Sequence, residues 1–83
     1  MVDWNRFIPG NFEYDFERDK LAAHRVTFEE AVECFFADCE VRRNKRFKDR
    51  YQLMGRTFGG RRLKIIFQLK SKNIVRIITG WPI

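Results

Sequence analysis

The sequence is poor in the residues that most often build metal and thiol sites. It contains one histidine and two cysteines among 83 residues. Cys34 and Cys39 have no second cysteine pair and no histidine at metal-ligand spacing, so neither a zinc site nor a disulfide framework is supported. We therefore expect no metal, no other cofactor and two reduced thiols.

Long apolar runs are also missing. No segment of the sequence approaches the roughly 18 apolar residues that a membrane-spanning helix needs. The first ten residues include Asp3, Arg6 and Pro9, where a secretory signal peptide would need an apolar core. We therefore expect a cytoplasmic protein without membrane contact. The usual motifs of nucleotide hydrolysis, a Gly-rich phosphate loop or a nucleophile elbow, are absent from the sequence as well.

What the sequence does contain is positive charge and aromatic residues. Seventeen Lys and Arg against eleven Asp and Glu give a net charge of +6. Hydrophobic residues make up 45% of the chain and include nine phenylalanines, which is enough for the core of a single domain. The basic balance favours an acidic partner: nucleic acid, an acidic protein or an anionic membrane surface.

Three strand-like runs follow one another between residues 50 and 80. From 62 to 69, apolar and polar residues largely alternate, as in a strand with one buried face. A three-residue loop over 58–60 keeps the apolar residues of the first two runs on the same face, whereas a two-residue loop would turn Leu53 away from it. We predict the three-residue loop, with a glycine at positive φ.

The opposite face of this meander is predicted to be cationic. Pairing Leu69 with Val75 places Arg50, Gln68 and Arg76 in one row across the three strands. The cations expected on this face are Arg50, Arg56, Arg62, Lys64 and Arg76. Like charges directly opposite each other are destabilising, so such a face usually has an anionic partner. A solvated outer face is the alternative, and a register of the last strand that buries Arg76 competes with this one.

An edge strand and two helices are predicted before the meander. Phe12–Asp15 alternates apolar and acidic residues, and Asp15 can cap a helix that runs to about His24. Thr27 and Glu30 match the capping box of a second helix. Its apolar stripe is Phe28, Ala31, Val32, Phe35 and Phe36. We therefore predict an α+β fold with two N-terminal helices packed on one face of a small antiparallel β-meander.

A basic run connects the second helix to the meander. A short strand near Glu40–Arg43 and a basic loop to Lys48 are predicted. Such a run is either a solvated segment or, because it leads into the cationic face, a phosphate-binding one. The predicted nucleic-acid contacts are Arg42, Arg43, Lys45, Arg46, Lys48, Arg50, Arg61 and Arg62.

The motifs, taken together, resemble the BrnT family of toxins from bacterial type II toxin and antitoxin pairs. The matching pieces span most of residues 12–79 of this single domain and follow a short lead over 1–11; they are FEYD, HRVTFEEA, RYQLMGRT, GRRL and RIIT. The resemblance implies a RelE-like fold, a metal-independent ribonuclease that inhibits translation, and assembly with a cognate antitoxin that also binds operator DNA.

The cationic face could support part of the reaction that this resemblance implies. Cleavage of RNA without a metal needs a base for the 2′-hydroxyl proton, an acid for the leaving 5′-oxygen and cations around the phosphorane. We predict Arg56 and Arg76 as phosphate clamps, because guanidinium groups bind phosphate bidentately, and Lys64 as a candidate proton donor. His24 is either the acid or base or a stabiliser of the first helix dipole. Trp81 could stack on a base or, as we expect, cap the core.

Three functions therefore stay open at the level of sequence. The first is a ribonuclease toxin whose cationic face holds RNA. The second is a non-catalytic module that binds nucleic acid or a protein. The third is a subunit whose cationic face is an assembly interface.

Overall fold

In the part of the chain that the structure describes, the fold is a five-stranded mixed β-sheet with one α-helix on one face. The computed structural model describes residues 11–37, 39–43, 49–71 and 74–83. The strands are β1 (Asn11–Tyr14), β2 (Cys39–Arg43), β3 (Arg50–Arg56), β4 (Arg62–Ser71) and β5 (Ile74–Pro82), and the helix is α1 (Phe28–Phe36). The strand order is β1-β5-β4-β3-β2, with β1 parallel to β5 and the other pairs antiparallel.

The hairpin of β3 and β4 has the predicted register. Gly55 pairs with Leu63, and the backbone N–H of Thr57 donates to the carbonyl of Arg61 at 2.8 Å. Three residues remain in the loop, and Gly60 among them has φ +91°. The predicted loop length and positive-φ glycine are therefore confirmed, and they keep the apolar residues of both strands on one face.

The predicted register of β4 and β5 is confirmed as well. Leu69 pairs with Val75 and Gln68 with Arg76. Val75 is fully buried whereas Arg76 is exposed, so the register that buries Arg76 is excluded. The ladder is irregular between Ile66, which pairs with Thr79, and Phe67, which pairs with Ile77, so β5 has one extra residue at this point. Beyond it, the side of β5 that carries Arg76 presents Thr79 and Trp81.

The predicted pair of N-terminal helices on an antiparallel meander is wrong. In segment 15–25, which is described in full, only residues 22–24 are helical, as one 3-10 turn. Asp19 at φ 38° and Arg25 at φ 59° take the left-handed conformation, which ends a right-handed helix. Leu21 is the one residue of the segment that is fully buried, so the segment has no apolar stripe to hold a longer helix on the sheet.

The edge strands stand close to where the sequence places them. β1 is shifted by one residue from the prediction and is parallel to β5, which makes the sheet mixed. β2 confirms the predicted short strand and begins at Cys39. The predicted basic loop with Lys45, Arg46 and Lys48 lies outside the described residues.

Helix α1 confirms the predicted second helix. The Glu30 N–H donates to Thr27 Oγ1, and the Thr27 N–H donates to Glu30 Oε1, each at 3.1 Å. The helix buries Ala31 and Cys34, while Phe36 at the end of the stripe is exposed. The core consists of Leu21, Val26, Ala31, Cys34, Leu53, Leu63, Ile65, Phe67, Val75 and Ile77. No helix in the described residues is long and apolar enough to cross a membrane.

Candidate nucleic-acid interface

The sheet face turned away from α1 is the candidate interface, and we name it the open face. Side chains alternate along β4, so the burial of Leu63, Ile65 and Phe67 against the core turns Arg62 and Lys64 to the other side. The cations on the open face of the described strands are Arg42, Arg50, Arg56, Arg62, Lys64, Lys70 and Arg76. The predicted cationic face is therefore confirmed as one face of the sheet.

Carboxylates neutralise this face only towards its edges. Lys70 Nζ lies 3.0 Å from Glu13 Oε2, and Arg42 Nη2 lies 2.7 Å from Glu40 Oε1. Across the described ranges, no carboxylate forms an ion pair with Arg56, Arg62 or Arg76. Three guanidinium groups of this face, at its two ends, therefore keep a positive charge that no carboxylate of the described residues pairs with.

A cleft at one end of the open face is built around two arginines that face each other. Arg56 of β3 pairs with Arg62 of β4. The cleft has a volume of about 310 Å³, and its lining residues are Cys39, Glu40, Met54, Gly55, Arg56, Arg62 and Ile83. We name it the Arg56 cleft. Two guanidinium groups at directly opposite positions offer several N–H donors to one tetrahedral anion.

Lys64 lies beside the Arg56 cleft because it pairs with the lining residue Met54, and Trp81 and then His24 follow on the side away from β3. Lys64 pairs with Trp81 across β4 and β5, and its Nζ is 5.8 Å from the centroid of the indole ring, within cation-π range. The imidazole of His24 lies on the 3-10 turn, 6.0 Å from the indole centroid. A half-buried indole thus lies close to both an ammonium and an imidazole group.

These positions correct two expectations. Trp81 shares a face with Lys64 rather than with the core residues, so its predicted role as a cap of the core is wrong. His24 cannot stabilise the dipole of a first helix, because the chain has only a three-residue 3-10 turn there. Its side chain is exposed and available to a ligand on the open face.

A second cleft lies at the other end of the open face. The predicted row of Arg50, Gln68 and Arg76 is confirmed by the pairing of β3, β4 and β5. The cleft has a volume of about 210 Å³, and its lining residues are Asp15, Arg18, Lys20, Arg50, Gln68, Arg76 and Ile78. We name it the Arg76 cleft. Sequence reasoning missed Arg18 and Lys20 because it placed them on a helix.

The two clefts are well separated along the sheet. Arg62 and Gln68 stand six residues apart on β4, which corresponds to about 20 Å at the rise of a β-strand. Arg56 and Arg76, both predicted as phosphate clamps, therefore share the open face but cannot hold the same phosphate. The face can instead contact one extended polyanion at two points.

Two of the predicted nucleic-acid contacts lie on the side covered by α1. Arg61 Nη1 donates to the carbonyl of Arg25 at 2.7 Å and to both carboxylate oxygens of Glu30 at 3.2 Å. The guanidinium of Arg43 lies 5.9 Å from the ring centroid of Tyr51, whose partner on β4 is a core residue. Arg61 thus ties the hairpin to α1.

A comparison with protein-family models finds no match to this chain, and a comparison with curated proteins finds none either. The resemblance to the BrnT toxins therefore depends on the sequence motifs alone. Apart from these motifs, the function is inferred from the geometry of the open face. In the described ranges, no three His, Cys, Asp or Glu side chains gather where they could hold a metal ion.

Proposed function

We propose that the protein is a metal-independent endoribonuclease that inhibits translation, acting in the cytoplasm as the toxin of a type II toxin and antitoxin pair. The observation that carries the proposal is the Arg56 cleft, where Arg56 and Arg62 face each other and neither forms an ion pair with a carboxylate of the described residues. Glu40 also lines this cleft and is paired with Arg42. Such a pair suits a phosphodiester, which supplies the missing negative charge. The resemblance of the motifs to the BrnT toxins supplies the reaction and the cognate antitoxin.

The neighbours of the Arg56 cleft suit the remaining tasks of RNA cleavage. The 2′-oxygen of the RNA attacks phosphorus and gives up its proton to a base, while the bond to the 5′-oxygen breaks and that oxygen takes a proton. His24 is exposed and close to Trp81, so an indole that stacks on a base would bring the phosphate within reach of the imidazole. Lys64 lies between that position and Arg62 and would stabilise the charge on the phosphorane.

The proposal is tested with purified protein and single-stranded RNA in the presence of EDTA. We expect cleavage by the natural protein, a large loss with Arg56→Ala, and no loss with Arg25→Ala. Arg25 is the control because it is exposed and lines neither cleft. Expression of the natural protein without an antitoxin should arrest growth. Intact RNA after incubation with correctly folded protein would contradict the proposal.

A second candidate function is a non-catalytic module that binds single-stranded nucleic acid. The separation of the two clefts by about 20 Å favours it. Two distant clefts can hold a strand, but they do not gather their cations around a single phosphodiester bond. Binding through about six phosphates of a single strand should weaken about 300-fold between 50 and 200 mM salt. Salt-sensitive binding with no cleavage products would select this function over the first.

A further inference from the structure

The Arg76 cleft is built from segments that lie far apart in the chain. Arg18 and Lys20 come from the turns after β1, Arg50 from β3 and Arg76 from β5. The parallel pairing of β1 with β5 brings the turns to this place, because it ends at Tyr14 opposite Ile77. Four cations from three separate parts of the chain thus line one concave surface.

The carboxylates at this cleft do not cancel its charge. Asp15 lines the cleft, and its Oδ2 lies 3.6 Å from Arg18 Nε. The nearby Asp49 accepts a hydrogen bond from Gln68 Nε2 at 2.8 Å. Neither Arg76 nor Lys20 forms an ion pair with any carboxylate of the described residues. The lining therefore keeps more cations than anions.

The row between the two clefts holds no carboxylate. Arg42 pairs with Gln52, Gln52 with Ile66 and Ile66 with Thr79, so one cation at the edge and three uncharged residues form this row across the middle of the open face. The three uncharged residues are half-buried. A polyanion that contacts both clefts would meet amide, methyl and hydroxyl groups on the way and no carboxylate in this row.

We propose that the Arg76 cleft is a second phosphate subsite, which binds an internal phosphodiester of the same single RNA strand that occupies the Arg56 cleft. This inference rests on the proposed function for the identity of the strand. The spacing of about 20 Å corresponds to about six stacked nucleotides at 3.4 Å each. The cleft thus anchors the strand and sets a minimum length for tight binding.

The subsite is tested by binding rather than by cleavage. The probes are fluorescent 2′-O-methyl oligoribonucleotides of 3 and 12 nucleotides without terminal phosphates, which lack the attacking hydroxyl and offer only internal phosphodiesters. The variants are Arg76→Ala and Arg18→Ala/Arg76→Ala. The control is Arg25→Ala, which like Arg76→Ala removes one charge, because Arg25 is exposed and lines neither cleft. Anisotropy titrations give the Kd at several salt concentrations, and circular dichroism checks the fold.

We expect the natural protein to bind the 12-mer at least tenfold more tightly than the 3-mer. The double variant should lose about tenfold or more in affinity for the 12-mer, because it removes charge-assisted hydrogen bonds to phosphate, and its salt dependence should fall by one to two ions. Arg25→Ala should change the Kd less than twofold.

The inference is overturned if the double variant binds the 12-mer as the natural protein does, or if Arg25→Ala weakens binding as much as Arg76→Ala does. The ribonuclease proposal can fail independently. An absence of RNA cleavage together with the predicted loss of 12-mer affinity would reject the enzyme and keep the subsite.

Discussion

Arg56 lies directly opposite Arg62 on the open face, and both side chains are exposed. Like charges at directly opposite positions of an antiparallel pair destabilise a sheet by about 0.2 to 1 kcal/mol. No carboxylate in the described ranges forms an ion pair with either arginine, and Glu40, which lines the same cleft, is paired with Arg42. A pair that lowers stability and has no ion-pair partner among the described residues is the arrangement expected where an external anion completes the site.

The first prediction is that Arg62→Gln changes stability and RNA binding in opposite directions. Removal of one charge relieves the repulsion with Arg56, so the free energy of unfolding should rise by about 0.2 to 1 kcal/mol. Affinity for single-stranded RNA should fall, because a phosphate contact is lost. Urea unfolding and anisotropy titration measure the two effects. A less stable variant with unchanged RNA affinity would show that Arg62 serves the fold instead.

The second prediction concerns the carboxylate of Glu30. Hydrogen bonding from the Thr27 backbone N–H lowers the pKa of Glu30 below its ordinary value of 4.5, and the Arg61 guanidinium lowers it further. The ionised form therefore stabilises the fold fully above pH 4.5, and this contribution is lost as the pH falls through the lowered folded pKa.

Glu30→Gln should accordingly lower the free energy of unfolding by about 0.5 to 1 kcal/mol at pH 7. The difference from the natural protein should shrink as the pH approaches 3. Urea unfolding at pH 7, 5 and 3 measures it. Equal differences at all three pH values would mean that the charge of Glu30 does not contribute.

The third prediction concerns Tyr14, whose hydroxyl joins β1 to the turns that follow. It donates to Asp19 Oδ1 at 2.7 Å and accepts from the backbone N–H of the buried Leu21 at 2.8 Å. Burial raises the pKa of Tyr14 to about 12, and the hydrogen bond to Asp19 adds to the shift. The neutral phenol therefore stabilises the fold fully below pH 10, and this contribution is lost as the pH rises through 12.

Tyr14→Phe should lower the free energy of unfolding by about 1 to 3 kcal/mol at pH 7, because it leaves the N–H of Leu21 without its acceptor. Between pH 10 and 12, the stability of the variant should also decline less than that of the natural protein. Denaturant unfolding at pH 7 and at a series of alkaline values tests both. A variant as stable as the natural protein at pH 7 would show that this hydroxyl does not stabilise the fold.

The fourth prediction concerns Gly80 on β5. A Cβ at this position would lie 2.6 Å from Ile65 Cδ1 and 3.0 Å from the carbonyl oxygen of Lys64. The carbonyl belongs to the neighbouring strand and cannot move alone, so Gly80→Ala should destabilise the fold by about 1 to 3 kcal/mol. Gly59→Ala is the control, because its nearest contact would be Thr57 Oγ1 at 3.8 Å. Equal thermal midpoints for the two variants would contradict the close packing of β5 on β4.

The parts of the fold that the sequence predicts correctly are those set by neighbouring residues. The β3–β4 register follows from alternation and from the length of the loop at Gly60, and α1 follows from Thr27 and Glu30. The parallel pairing of β1 with β5 joins Phe12 to Val75. Alternation does not reveal strand direction or partner, so this pairing could not be read from the sequence.

For the candidate site, the sequence predicts the face but not the distances. Alternation predicts correctly that Arg56, Lys64 and Arg76 share one face, but it does not show that Arg56 and Arg76 lie far apart along the sheet. The missing first helix also had a local cause. Asp15 accepts from the backbone N–H groups of the next residues, as a helix cap would, but the left-handed Asp19 turns the chain and brings Arg18 to the Arg76 cleft.

The most direct measurement of the central claim is a single-turnover cleavage rate in EDTA for a single-stranded RNA that the natural protein cuts, compared with Arg56→Ala. The account predicts a slowing of about 100-fold or more with Arg56→Ala, and no cleavage when the nucleotide 5′ to the cut is 2′-deoxy. Equal rates for the two folded proteins, or cleavage that persists at the deoxynucleotide, would contradict it.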